Sequence, residues 1–204
     1  MILLKLHLSR QSLEKQKKIY LIFISIILMS IFLGFFFYFI ISDSNKELVI
    51  NTQKDFFNNI DNIKYLSSFI NSLLSNFIYI ILIFILGLSV VGILFIALIL
   101  VFKSFVVGFS ISSIIGTFGF KGIILSFIYI VPHQILYLII LLLMSYYGCG
   151  FSVKLFKHIF KRSVINFRMV KEKYIKILLI CLGCSFLCSI YEIFIMHFFL
   201  KLFI

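Results

Sequence analysis

Glu192 is the residue of this chain with the most chemistry to offer and the least comfortable position. It is the only acid in the apolar segment from Ile177 to Leu200, and a carboxylate surrounded by hydrocarbon is expected to face a bundle interior or water, with a partner. Such a group could hold a proton, meet a cation or clasp a second helix. Cys181, Cys184 and Cys188 precede it at helical spacing, with Ser185 and Ser189 beside them, so one face of the segment reads as small and polar. Two of these cysteines form a C-x-x-C pair. A zinc site of that pattern usually takes a second pair of ligands from elsewhere, and only Cys149 is left to supply one. The cysteines are therefore expected to be packing residues, and no metal is assigned to them.

The four histidines, His7, His133, His158 and His197, fall in different segments, which argues against a histidine metal centre. His133 has a different interest. On ideal helices it lies about 16 Å below Gly122, and Glu192 lies about 12 Å below Leu200, so the two share a depth. Glu192 is expected to contact His133, Gln134 or the backbone freed by Pro132, which cannot donate to the helical ladder. The chain contains no H-E-x-x-H, no G-x-S-x-G, no Walker loop and no G-x-G-x-x-G after a strand. No catalytic residue, cofactor-binding residue or metal ligand is nominated, and the chain is expected not to be an enzyme.

The elements that carry these residues are membrane helices. Apolar residues make up 63% of the chain and charged ones 13%, where a soluble domain has roughly 25% charged residues. From Leu73 to Val153 only Lys103 and Lys121 interrupt the apolar tract, and about 20 apolar residues suffice for one crossing. Charge-free runs predict an all-α, polytopic protein forming a single integral membrane domain over 1–204. The five spans are expected at about 19–41, 77–102, 104–120, 122–153 and 177–200. Lys103 and Lys121 then mark two helix turns. Gly116, Gly119 and Gly122 bracket the second turn, whereas Gly87, Gly92 and Gly108 are expected where helices approach closely.

Charge sets the expected orientation. The loop 154–176 holds Lys154, Lys157, Lys161, Arg162, Arg168, Lys171, Lys173 and Lys176 against the single acid Glu172. With five true crossings this loop, the basic N-terminal arm and Lys103 share the cytoplasmic side, leaving few basic residues outside. A re-entrant third segment would export the most basic loop, so the N-terminus is placed in the cytoplasm and the C-terminus outside. The first span exceeds a signal-peptide core and is followed by no A-x-A-like site, so it reads as an anchor. Outside the membrane, 42–72 is the one appreciable segment. Phe56, Ile60, Ile63, Leu66, Ile70 and Leu73 recur every three or four residues there, which predicts an amphipathic helix on the outer leaflet, the best external docking surface. The abundant lysine and phenylalanine, with Ala97 the only alanine, read as the coding bias of an AT-rich genome; no nucleic acid is expected as a partner. Membrane lipid is, and copies of the chain could associate.

The runs ILGLSVVGILFIALILVFKSFVVGFSIS (85–112), FGFKGIILSFIYIVPHQILYLIILLLM (118–144) and SIYE (189–192) resemble the stage II sporulation protein M family. The resemblance rests on Gly87, Leu88, Ser89 and Gly92, then Lys103 with Val106 to Phe109, then Lys121, Gly122, Ser126 and Pro132, and finally Glu192. The chain departs from that pattern in lacking a proline soon after Gly92 and in carrying His133-Gln134 after Pro132. The resemblance implies a five-span membrane scaffold of endospore engulfment, in the septal, mother-cell membrane. Its implied partners are the peptidoglycan-hydrolase membrane proteins of the engulfment machinery, an amidase/endopeptidase that in turn recruits a lytic transglycosylase. The competing reading of the residues is a transporter or permease-like subunit, because an intramembrane carboxylate near a proline-broken helix is what a transport path would use.

Overall fold

The computed structural model describes residues 2–58, 65–161 and 167–196, and among them every regular element is helical. In chain order these are α1 (Ile2–Ile40), α2 (Asp43–Asn58), α3 (Tyr65–Gly87), α4 (Gly92–Phe118), α5 (Phe120–Tyr129), α6 (Val131–Lys161) and α7 (Phe167–Ile190). A π-helical turn, Tyr191–Met196, continues α7. Among the described residues five stretches are long and apolar enough to cross a membrane: Lys17–Ile40, Leu66–Gly87, Gly92–Phe118, Val131–Ile159 and Arg168–Ile193. In these segments the backbone bonds to itself, which hydrocarbon requires. Large side chains such as Leu21, Leu28, Phe32, Leu94 and Leu179 point outward, as a lipid-facing surface would have them.

The number of spans agrees with the sequence reading, but boundaries shift: the fifth span, expected at 177–200, runs over Arg168–Ile193 among the described residues. The expected spans 77–102 and 104–120 are replaced by α3 and α4, which meet at a tight turn over Leu88–Val91. In that turn the Leu88 amide donates to the Ile85 carbonyl and the Ser89 amide to the Leu86 carbonyl, at 3.0 and 2.9 Å. Gly92 is required there because a Cβ would strike the Leu86 carbonyl. Lys103 thus marks no turn. It lies within α4, about 17 Å from the Val91 end and about 23 Å from the Phe118 end at the helical rise.

The expected fourth span, 122–153, is likewise divided into α5 and α6 at Ile130. Pro132 supplies the physical reason: without an N–H it cannot bond back to Ile128, and its ring crowds that turn. Both pieces still run antiparallel to α4, since Gly122 lies against Ile114, Lys103 over the Tyr137 ring and Gly148 against Ile96. The α4–α5 turn centres on Gly119, with φ +59° and ψ −129°, a conformation open only to glycine. Lys121 sits beside it in the first turn of α5.

The centre of the bundle lies among α3, α4, α6 and α7, where Ile80, Ile83, Ile96, Leu100, Tyr137 and Leu141 are fully buried. α1 packs along α4 from outside this group. Gly34 and Gly108 make that contact close, because a Cβ on Gly34 would meet the Phe105 carbonyl and one on Gly108 the Ile31 carbonyl.

The amphipathic helix expected from Phe56 to Leu73 falls partly outside the described residues. Ile60 and Ile63 lie outside the described residues, while Leu66, Ile70 and Leu73 belong to the long α3. α2 folds back on α4. Phe57 is buried with its ring 5.0 Å from that of Phe118, and the Gln53 amide donates to Ser113 Oγ at 3.3 Å. Phe56, on the apolar face expected to be free for docking, stays exposed beside Phe57.

Candidate functional site in the bundle interior

α7 presents Tyr174, Ile177, Cys181, Ser185, Cys188 and Ser189 to its neighbours, all buried and nearly all spaced three or four residues apart. The small residues in this stripe let α7 lie close to α3 and α6. Cys184 departs from the sequence reading: it is exposed, off the packed face. Cys181 Sγ lies 4.0 Å from the Ile140 carbonyl of α6. Cys149 belongs to the far end of α6, so the four thiols do not converge; among the described residues no group of metal-ligating side chains forms.

Glu192 follows this stripe in the π-helical turn, whose extra residue changes the direction of the side chain. Its Oε2 lies 3.1 Å from His133 Nε2, an ion-pair distance whose alignment is not that of a hydrogen bond. The contact with α6 that the shared depth predicts is therefore present. Ser72 Oγ of α3 donates to the same carboxylate oxygen. Beneath it, Asn76 Nδ2 donates to Ser189 Oγ at 3.2 Å, and Tyr137 OH donates to the Asn76 carbonyl at 2.7 Å. α3, α6 and α7 are thus joined at one level by polar contacts.

α4 contributes the charge of opposite sign. Lys103 Nζ sits 4.6 Å from the centre of the Tyr79 ring and 5.2 Å from that of Tyr137, and it lies near enough to Glu192 for the two charges to interact. Ring faces and a nearby carboxylate offset the cost of an ammonium at mid-helix in the membrane. This is why a lysine is tolerated where the sequence reading expects a turn.

A cleft of about 290 Å³ opens onto this cluster from the end occupied by α2, with Gln53, Ser110, His133, Gln134 and Glu192 on its walls. Glu192 is the more accessible member of the pair: its side chain is 21% exposed, against 5% for His133. Gln134 Oε1 is buried on the cleft wall without a hydrogen-bond partner. The cluster can bind a hydrogen-bond donor or a cation. It lacks the order of a nucleophilic triad, because Ser72 and His133 both meet the carboxylate and the imidazole does not stand between hydroxyl and acid.

A family model, Stage II sporulation protein M, matches residues 21–196. The chain belongs to the stage II sporulation protein M family. No curated protein and no solved structure matches it. The positions that carried the resemblance now have places in the SpoIIM-family fold. Gly87, Leu88, Ser89 and Gly92 make the α3–α4 turn, which Ser152 Oγ secures by donating to the Ser89 carbonyl at 2.6 Å. Gly87 also admits Tyr174, whose hydroxyl donates to the Phe84 carbonyl at 3.1 Å. Lys103, Pro132 and Glu192 surround the interior cluster, and Lys121 remains exposed at the α4–α5 turn.

Sequence reasoning missed Ser72, Asn76, Tyr79 and Tyr137. One signal was available: Asn76 and Gln134 are the only amide side chains between Leu73 and Val153, and an amide in hydrocarbon needs a partner. His7 and His197 lie outside the described side chains, and His158 is exposed at the other end of α6.

Proposed function

We propose that this chain is a non-catalytic membrane scaffold of endospore formation that holds peptidoglycan-degrading enzymes at the septal membrane during engulfment. Its direct partner would be the amidase/endopeptidase, with the lytic transglycosylase recruited through it. Family membership supports a sporulation-related membrane protein, and the resemblance in the sequence supplies the finer role. The observation that carries the reading is how the polar interior is used. Ser72, Asn76, Tyr137, Ser189 and Glu192 bind one another across α3, α6 and α7, an arrangement that holds helices in a fixed relation without presenting an activated nucleophile.

The proposed orientation keeps the N-terminus and the basic ends of α6 and α7 in the cytoplasm, with α2 and the cleft outside. A partner would then meet α2 and the α4–α5 turn, or the lipid-facing side chains of the long helices. Deletion in the native host, followed by microscopy of membrane migration around the forespore, tests the reading. Arrested engulfment with mislocalised hydrolase is expected; normal engulfment and viable spores would overturn it.

The cleft ending at Glu192 and His133, with Lys103 behind, is the feature that favours a transport subunit instead. Solute or ion flux in proteoliposomes of the purified chain, abolished by Glu192→Gln, would establish that second reading.

A further inference from the structure

At the opposite end from Glu192, α1, α6 and α7 leave a cavity of about 780 Å³ that the interior cluster does not touch. α1 follows α4 and makes only slight contact with α6, so the space between them opens sideways toward lipid. The deep walls are aromatic and apolar: Phe23, Phe151 and Tyr174 are buried there, and the rings of Tyr20 and Tyr146 stack at 4.1 Å beside them. Its mouth is basic. Lys154 and Lys157 project from α6 and Lys173 from α7, all exposed.

No acidic residue lines the cavity among the described residues. The nearby acid, Glu172, is engaged by Arg168 at 3.2 Å. Lys173 Nζ instead lies 5.4 Å from the centre of the Tyr147 ring, which leaves its charge available to an anion. Gly150 lines the same space, and a Cβ built on it would meet nothing within 4 Å.

We propose that this cavity holds one anionic phospholipid, its phosphate among Lys154, Lys157 and Lys173 and the upper part of an acyl chain between α1 and α6. A free phosphate would use the mouth but leave the aromatic interior without an occupant. A zwitterionic lipid would bring its own cation to three lysines. Basic pockets between membrane helices are suited to anionic headgroups on both counts, and the volume falls within the range of small-molecule sites.

The test is a titration of the full-length chain, purified in neutral detergent, with fluorescent phosphatidylglycerol and with phosphatidylcholine. Saturable binding of phosphatidylglycerol in preference to phosphatidylcholine is expected, and inorganic phosphate should not displace it. Lys157→Gln with Lys173→Gln should weaken binding at least about tenfold. Lys171→Gln with Lys176→Gln, an equal change of charge at exposed positions off the cavity wall, should leave affinity within about twofold. Gly150→Leu should also weaken binding by filling the cavity, with every charge retained and the gel-filtration profile unchanged. Equal losses in the two lysine pairs would reduce the effect to general surface charge and overturn the proposal. Displacement by inorganic phosphate, or full affinity in Gly150→Leu, would overturn it as well.

Discussion

At the residue scale, a carboxylate and an ammonium inside a membrane protein each need neighbours that offset their burial. Glu192 receives the Ser72 hydroxyl and faces His133, while Lys103 rests on two tyrosine rings. Glu192→Ala leaves Ser72 without its acceptor and removes a negative charge from the neighbourhood of Lys103. Because the carboxylate is partly exposed, the expected loss is below the full cost of breaking a buried pair, about 2–3 kcal/mol, read by thermal or detergent-induced unfolding. Glu192→Gln keeps an acceptor for Ser72 and should lose about 1 kcal/mol; if assembly and function survive it, no charge is required there. Combined with Lys103→Met, the two changes should be non-additive by about 0.5–3 kcal/mol, whereas strict additivity would show that the two charges do not communicate. The pairing of Glu192 with α6 was legible because depth along a helix follows from residue count alone. The role of Lys103 was not, because a lone lysine in an apolar run reads as a boundary until the rings beneath it are known.

At the element scale, glycine decides where helices meet and where they end. The α1–α4 crossing depends on Gly34 and Gly108, whose Cα atoms face carbonyls of the other helix. Gly108→Val should therefore force the helices apart and lose about 1–3 kcal/mol or more. Gly183→Ala is the control. A Cβ there would meet nothing within 4 Å, and the change should stabilise α7 by about 0.5–1 kcal/mol, with both variants measured in the same unfolding assay. α2 offers a second test, since Phe57 anchors it against Phe118. Phe57→Ala should cost about 3 kcal/mol at that contact and expose α2 to added protease while the spanning helices stay protected. Unchanged cleavage would mean that α2 is held by other contacts. Gly87 and Gly92 were visible in the sequence as close-approach glycines, but their part in a turn was hidden. Both uses demand a missing Cβ, and sequence alone does not distinguish a neighbouring helix from the chain folding back on itself.

At the scale of the whole molecule, the bundle has a polar, cleft-bearing end near α2 and a basic, aromatic end at the far terminus of α6 and the start of α7. The proposed orientation predicts that, with native cysteines replaced, Leu48→Cys is labelled by an impermeant maleimide on intact cells and Lys157→Cys only after permeabilisation; the reverse pattern would invert the topology. Composition determined the membrane class, and the charge-free runs determined the helical fold and the number of spans, because each crossing needs a run of apolar residues whose length is set by the bilayer. The ordered Gly, Lys, Pro and Glu positions determined the family. Only the tertiary structure decided where the second and third spans divide and that α2 folds back on α4. It also decided that Ser72, Asn76, Lys103 and Tyr137 join His133 around Glu192. Hydropathy is summed along the chain and is blind to partners, whereas a polar group in hydrocarbon is placed by the partner that satisfies it, and that partner lies on another helix.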